Sequence, residues 1–435
     1  MKSLTFKFTY LLPIIAIATS SCSHTIKQTT SSESVSKNVV LSSAKTPSNL
    51  NLSSACALAV QHHPSMATYP MDRRAADARI LKASRSPNPE LTIDMEDFLG
   101  LGGSRGFAAA MLNTALSGVI ERGGKKEARV NQAKSDGVVM DAEYAVKRLE
   151  LLDQTSELFF EALAAHENVK FSETSLERSK ETLKLLRELD GVGRVTATAV
   201  QQVKLDTQKL ELELVVAKKA RSKASRALTG QWGDSKEIIF SQNHVADVSN
   251  KIAPKKKLMS GLSDHPSIML AKARVAQSDS NLRAAKSNNY RDLAVSGGVR
   301  ANNDNNSASG LLALSIPLKF FDRNKEGVVE MSALTEKSQT ELLGAQRELN
   351  TKFELVWSDL DSSHKSSLVL KNQLLPTAIE LLKGAETAFR EGAITSLEFL
   401  AAQQQFQTIR NQWLRSKLDY QLNAARIQNL TNQSL

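Results

Sequence analysis

Two stretches of the chain alternate apolar and polar residues at the period of a strand and then pass directly into long helical sequence. In residues 311–327 (LLALSIPLKFFDRNKEG), Leu312, Leu314, Ile316 and Leu318 fall on one face of a pleated strand. Leu311, Ala313 and Ser315 fall on the other. Pro317 sits within this run, and Asp322 lies in the turn Phe321–Lys325 that ends it. A related junction occurs at residues 116–126 (LSGVIERGGKK), where Gly123 and Gly124 make the corner. Each strand has a partner upstream, at residues 91–96 and 293–300, giving hairpins over about 90–120 and 293–318. The loops expected between the paired strands are 100–106 and the Asn-, Asp- and Ser-rich 301–310, with the returning strand of the first hairpin inside 107–120.

The helical pattern is longer than that of an ordinary domain. Residues 50–86 read as helix interrupted around His62-His63-Pro64, and Pro87-Asn88-Pro89 stops them. Residues 125–190 and 325–390 read as helices of roughly 65 residues, each about 100 Å long at 1.5 Å per residue. Their apolar positions, such as Leu149, Leu152, Thr155, Leu158 and Phe159, make a narrow stripe that packs neighbouring helices rather than a globular core. Pro376 is expected to kink the second. Returning helices follow at 198–229 and 397–430.

The order of elements occurs twice. His63-Pro64-Ser65 recurs as His265-Pro266-Ser267, each followed by an Ala/Arg-rich helix and a strand. Gly193-Arg194-Val195-Thr196 has its counterpart in Gly392-Ala393-Ile394-Thr395. The expected units are residues 49–250 and 251–435. The fold class is therefore mainly α with a small β part: duplicated long-helix hairpins, with four strands per chain. Four strands cannot close a filled barrel, which needs about eight. If these strands cross a membrane their edges must still be paired, so several chains must each donate two hairpins to one barrel.

Composition agrees with helical bundles. Aromatic residues are 5% and charged residues 23% of the chain. The net charge of +10 is spread along the helices among acids, with no aromatic-interleaved basic patch, which argues against nucleic acid. The N-terminus reads as an export signal over residues 1–22: Lys2 and Lys7 precede the short apolar run YLLPIIAIA at 10–18. Two cleavage readings stand. Ala16-Ile17-Ala18 is an A-x-A site, whereas Thr19-Ser20-Ser21-Cys22 is similar to a lipobox that would make Cys22 the acylated first residue. Residues 23–48 have the composition of a flexible Ser/Thr-rich tether. Cys56, in an apolar helical run, reads as a small buried hydrophobe.

No catalytic constellation, cofactor motif or metal set is legible. The seven histidines form no pair at i,i+4 spacing with an acid, and no phosphate loop, nucleophile elbow or Cys–His pair appears. Helices about 100 Å long with a small β tip, behind an export signal, have the proportions of a conduit across a periplasm.

The chain from about Leu50 to Leu430 resembles the TolC-like outer-membrane efflux family, in particular its heavy-metal and cation branch. The resemblance is carried by Leu314-Ser315-Ile316-Pro317-Leu318 with Phe320–Lys325, by Ile120–Lys126, by the paired Gly turns and by the duplicated His-Pro starts. It implies a homotrimer whose four strands per chain make a twelve-stranded barrel among outer-membrane lipids, above an α-helical tunnel in the periplasm of a Gram-negative bacterium. It also implies a periplasmic adaptor docked at the tips Val192-Gly193-Arg194 and Glu391-Gly392-Ala393, and an inner-membrane pump of RND or ABC type. The channel would pass metal cations or small molecules passively. A type I secretion channel and a periplasmic coiled-coil adaptor or scaffold lipoprotein are the alternatives. The family's aperture positions fall on Phe389, Ile394, Glu398 and Ala401, with Ala199 near the first tip; only Glu398 is a polar aperture candidate.

Overall fold

The computed structural model describes residues 44–47, 49–99, 106–238, 240, 248–249 and 252–432. Cys22 and the expected export signal lie outside the described residues.

The first copy opens with α1 (Leu52–His62), whose N-cap Asn51 accepts the Ser54 N–H at 2.8 Å while Ser54 Oγ accepts the Asn51 N–H at 3.0 Å. The His-Pro-Ser motif is a helix start. His63 Nδ1 accepts the Ser65 N–H at 3.3 Å ahead of α2 (Pro64–Ala67), and Pro64 takes an early position where its missing N–H costs nothing. The expected continuous helix breaks again at Thr68, because Pro70 can only sit in the first turn of a new one, α3 (Tyr69–Ala83). His265 repeats the cap in the second copy, with Ser267 N–H at 3.2 Å.

Strands β1 (Glu90–Glu96) and β2 (Met111–Ile120) form the first hairpin. A 67-residue helix, α4 (Lys125–Gly191), and its return α5 (Ala197–Thr229) complete the copy. The second copy runs α6 (Lys255–Met259), α7 (Pro266–Ser287), β3 (Leu293–Asn302) and β4 (Ser307–Ser315). It continues through α8 (Lys325–Val369), a π turn (Leu370–Leu374), α9 (Leu375–Arg390) and α10 (Ser396–Thr431). The expected kink at Pro376 takes the form of that π turn. The Leu375 N–H reaches back five residues to the Leu370 carbonyl, widening the ladder just before the residue that has no N–H to give.

The four strands make one antiparallel sheet in the order β1-β2-β3-β4. The central pairing, Met111↔Asn302 to Ile120↔Leu293, joins the two copies. β4 starts four residues before the expected Leu311 and ends at Ser315 rather than Leu318. The Asn/Ser-rich segment is ladder, not loop: Asn302 pairs with Ser307, and the turn is only residues 303–306, closed by Asn306 at φ 51°. At the other end Pro317 cannot donate to a ladder.

The helices are held by separate apolar clusters strung along them. One gathers Phe159, Phe160, Leu163, Leu228, Trp232 and Phe240 of the first copy. Another gathers Leu258, Leu349, Phe353 and Leu360 of the second. Helix α10 serves both, giving Leu418 and Ala425 to the first cluster and Tyr420, Ile427 and Leu430 to the second. Toward the lower end of α4 the buried stripe becomes Ser172, Ser175, Ser179 and Thr182. Ser179 Oγ lies 2.8 Å from Thr207 Oγ1 of α5, so small hydroxyls let these two helices approach closely without stranding a polar group.

At the end of the expected tether, residues 44–47 lie against the first copy. Asp234 accepts both the N–H and the hydroxyl of Thr46 through Oδ2, at 2.8 and 2.6 Å, and Trp232 Nε1 donates to Thr46 Oγ1 at 3.1 Å. These bonds hold the Asp234 carboxyl down at about 2, the Thr46 hydroxyl being the largest cause.

Candidate functional site

The register sorts the sheet into two faces. Paired residues share a face, so Leu91, Ile93 and Met95 align with Leu112, Leu116, Val295, Leu312 and Leu314 on one side. Glu90, Thr92, Asp94 and Glu96 align with Asn113, Ser117, Ser296, Arg300 and Ser309 on the other. The apolar face is uncovered by its own chain: Leu312 is 85% exposed and Leu314 63%. Aromatic residues flank it at both ends. Phe98 and Phe107 stack at 6.5 Å beside the β1–β2 turn, and the exposed Phe320, Phe321 and Tyr290 lie at the helical end. Both outer strands have an unpaired edge.

The strand-to-helix corners place this sheet on the helices. Gly123 and Gly124 both take positive φ, 73° and 71°, and Gly124 caps α4. Asn324, also left-handed at 57°, caps α8 in the same way, as Asn tolerates. Asp322 Oδ1 accepts the Asn324 N–H at 2.7 Å, and Asn324 Nδ2 donates to the Ala285 carbonyl at 2.8 Å. Pro317 lies just past the end of β4. Sequence reading missed the groups that fasten the first corner. Asp292 binds the Arg122 N–H at 3.2 Å and Lys125 Nζ at 2.8 Å, and Glu121 takes a two-point bond from Arg129 at 2.5 and 3.1 Å. That guanidinium holds the Glu121 carboxyl below its ordinary range. Asp292 is 170 residues from Arg122, so no local signal announces it.

The two helical tips are built alike. After α4, Gly193 (φ 71°) donates to the Asp190 carbonyl at 2.9 Å and Arg194 N–H to that of Leu189 at 2.9 Å. After α9, Gly392 (φ 77°) donates to Phe389 at 3.0 Å and Ala393 to Ala388 at 2.8 Å. Both follow the Schellman pattern, which needs a residue at ease with positive φ at this point. The tips are brought together: a Cβ on Gly392 would stand 3.1 Å from the Arg194 guanidinium. Beneath them Leu186, Val203, Phe389 and Phe399 form a shared apolar cluster, with the two rings stacked at 5.1 Å. Val192 is exposed at the apex of the first tip, and Glu391 begins the second.

Of the residues at aperture positions, Phe389 is buried in this cluster and Ile394 packs on it. Ala401 is exposed on α10 and Ala199 half-buried in the first turn of α5. Glu398 is the third residue of a capping box. Its Oε2 accepts the Thr395 N–H at 2.7 Å and hydroxyl at 2.8 Å, while Thr395 Oγ1 accepts the Glu398 N–H at 3.3 Å. The Thr395 N–H, then its hydroxyl, hold this carboxyl below its ordinary value.

Elsewhere Cys56 carries a free thiol 3.9 Å from Ser156 Oγ, and burial pushes it up. Among the described residues no group of three or more His, Cys, Asp or Glu side chains could hold a metal ion. No described helix is long and apolar enough to cross a membrane.

Comparison with known proteins settles the family. A sequence profile for the outer membrane efflux protein matches residues 56–234 and again 259–433. The chain belongs to the outer membrane efflux protein family. This is a family of efflux proteins rather than of enzymes. Among members, the cobalt-zinc-cadmium resistance protein CzcC of Cupriavidus metallidurans is 26% identical over 355 residues, covering 81% of this chain and 83% of that one. In fold, this efflux protein is similar to a membrane protein from Pseudomonas aeruginosa, with a TM-score of 0.75 at 17% identity, over 89% of this chain and 92% of that one. It is likewise similar to the outer membrane protein VceC of Vibrio cholerae, with a TM-score of 0.70 at 18% identity, over 87% and 96%. The chain is the outer-membrane channel subunit of an efflux system.

Proposed function

We propose that three copies join edge to edge, β4 of one beside β1 of the next, to close a twelve-stranded barrel in the outer membrane above a helical tunnel in the periplasm. The observation that carries this is the two-faced sheet with two unpaired edges. An apolar face flanked by aromatic residues suits lipid, a polar face suits a water-filled interior, and open edges are not tolerated in lipid. β2, β3 and β4, of 10, 10 and 9 residues, match the length that crosses a bilayer at a tilt, and β1 is shorter at 7. A coiled-coil adaptor or scaffold would use the long helices but would have no use for that apolar face.

The subunit conducts passively, and the energy comes from an inner-membrane pump reached through an adaptor docked on the paired tips. The fused tips, held by the shared cluster under Val192-Gly193-Arg194 and Glu391-Gly392-Ala393, offer one rigid surface for that contact. Cargo of the metal-cation class is favoured by the likeness to a cobalt-zinc-cadmium resistance protein. Near the tips Glu398 is the candidate aperture group, although its carboxylate also closes a helix cap.

Planar-bilayer recording of the detergent-extracted protein, with its mass in solution, tests the reading. A trimer with discrete openings is expected, and a non-conducting monomer that stays in solution without detergent sinks it. Glu398→Gln keeps an acceptor for the cap, whereas Glu398→Ala removes it. Raised conductance in both variants places Glu398 at the aperture. A change confined to the Ala variant assigns it to the cap alone.

A further inference from the structure

Of the rungs on the polar face of the sheet that cross all four strands, one is polar at every position. Asp94 of β1 stands opposite Asn113 of β2, Asn113 opposite Arg300 of β3, and Arg300 opposite Ser309 of β4. Within it, Arg300 Nε donates to Asn113 Oδ1 at 2.8 Å. Asn113 is 8% exposed, whereas Asp94 and Ser309 are exposed. The bond therefore fixes the root of a guanidinium on an otherwise open wall. No carboxylate pairs with Arg300 among the described residues.

Charge along the strands is uneven in a way the whole chain does not foretell. The chain as a whole is basic. In the four described strands, however, Arg300 is the only Lys or Arg, while Glu90, Asp94 and Glu96 all lie on the polar face of β1. On the polar face of β3 Arg300 lies between Asn302 and Gly298, and the missing side chain of Gly298 leaves a gap on that side. A Cβ there would strike the Thr114 carbonyl at 2.3 Å, so the gap is fixed by the close approach of β2.

We infer that Arg300, positioned by Asn113, is a specificity-determining residue of the conducting path, setting the balance between cations and anions against the carboxylates of β1. The inference rests on the channel reading. Closure of three chains makes one ring of three guanidinium groups and, a short way along the wall, one ring of three Asp94 carboxylates. A charged ring acts on every ion passing it, so it weighs more than its share of the surface. With three carboxylates to one guanidinium on each chain's strands, the wall favours cations, and Arg300 is the group that opposes them.

The test is reversal potential in a potassium chloride gradient across a planar bilayer holding the full-length protein. Arg300→Gln is expected to raise the potassium-to-chloride permeability ratio about twofold or more, and Asp94→Asn to lower it by a similar factor. Arg300→Lys keeps the charge and is expected to leave the ratio near that of the parent. Ser309→Lys adds a cation to the same rung at an exposed position, so it reports even if Arg300→Gln fails to assemble, and it is expected to shift the ratio toward chloride. Openings of normal size with an unchanged ratio in Arg300→Gln, or in Ser309→Lys should the former not assemble, overturn the inference and leave the channel intact. Absence of openings in the parent protein overturns the channel reading itself.

Discussion

Gly123 and Gly124 are adjacent, share almost the same backbone conformation, and should respond very differently to one added methyl group. Both have φ near 70°, where a Cβ costs about 1–2 kcal/mol. At Gly124 nothing lies within 4 Å of that Cβ, so Gly124→Ala should lose about 1–2 kcal/mol and no more. At Gly123 the Cβ would fall 2.3 Å from Cγ and Cδ2 of Tyr290 and 2.4 Å from its Cβ. The ring can swing away, since Tyr290 is 59% exposed, but its Cβ moves only if the backbone does. Overpacking of this kind adds about 1–3 kcal/mol, for a total of about 2–5 kcal/mol. The control follows from which atom is fixed. Tyr290→Ala should rescue Gly123→Ala only in part, whereas Tyr290→Gly, which also removes the Cβ, should bring it down to the level of Gly124→Ala. Guanidinium denaturation in detergent, followed by helical circular dichroism, reads each difference. Equal losses at the two glycines would refute the reasoning, as would a rescue by Tyr290→Ala as complete as that by Tyr290→Gly.

Two further predictions concern pH. Asp234, held at about 2 against an ordinary 3.8, contributes stability that is present above about pH 4 and is lost as pH falls toward 2. Asp234→Asn should remove that dependence and lower the unfolding free energy at neutral pH by about 1–2 kcal/mol after allowance for solvent screening. His265, which burial holds down at about 4, must stay neutral to accept the Ser267 N–H. The unfolded chain binds a proton between about pH 6.5 and 4 that the folded chain does not. Stability should therefore be full above pH 6.5 and decline by up to about 3 kcal/mol as pH falls through that window. His265→Asn, an N-cap that does not titrate, should flatten the decline measured by denaturation at stepped pH.

What could be read in advance divides by how local the cause is. The long helix of the first copy was legible to within a residue at each end, because Gly124 and Gly193 mark its limits in the sequence itself. The second hairpin was misplaced by the same kind of evidence. Leu312, Leu314, Ile316 and Leu318 continue the alternation past the last rung, and Ser307, Ala308 and Ser309 look like loop although they pair with β3. A strand end built of Ser, Ala and Gly carries no apolar alternation, so the Ser-rich half of β4 was invisible to hydrophobic pattern. The His-Pro-Ser repeat was legible as a helix start, but the acceptor role of the imidazole was not. Contacts such as Thr46 with Asp234, 188 residues apart, and Arg300 with Asn113, 187 apart, depend on the assembled fold. At the tips one position carried over from the family falls on Phe389, whose place in the apolar cluster beneath the turns also depends on the assembled fold.

The π turn at Leu370–Leu374 makes the two halves of this duplicated chain rotationally unequal. Helix α4 descends without interruption, whereas its counterpart accommodates one extra residue in a turn, which is worth about 100° of azimuth at 3.6 residues per turn. Everything below the bulge, including α9 and the second tip, faces its present direction because of that offset. Excising one residue from the bulge would heal the hydrogen-bond ladder and at the same time swing Phe389 away from Phe399. A repair of the helix would thus dismantle the tip. The copies therefore cannot be exchanged for one another, and threefold repetition of such a chain would yield a wall with two alternating kinds of strut.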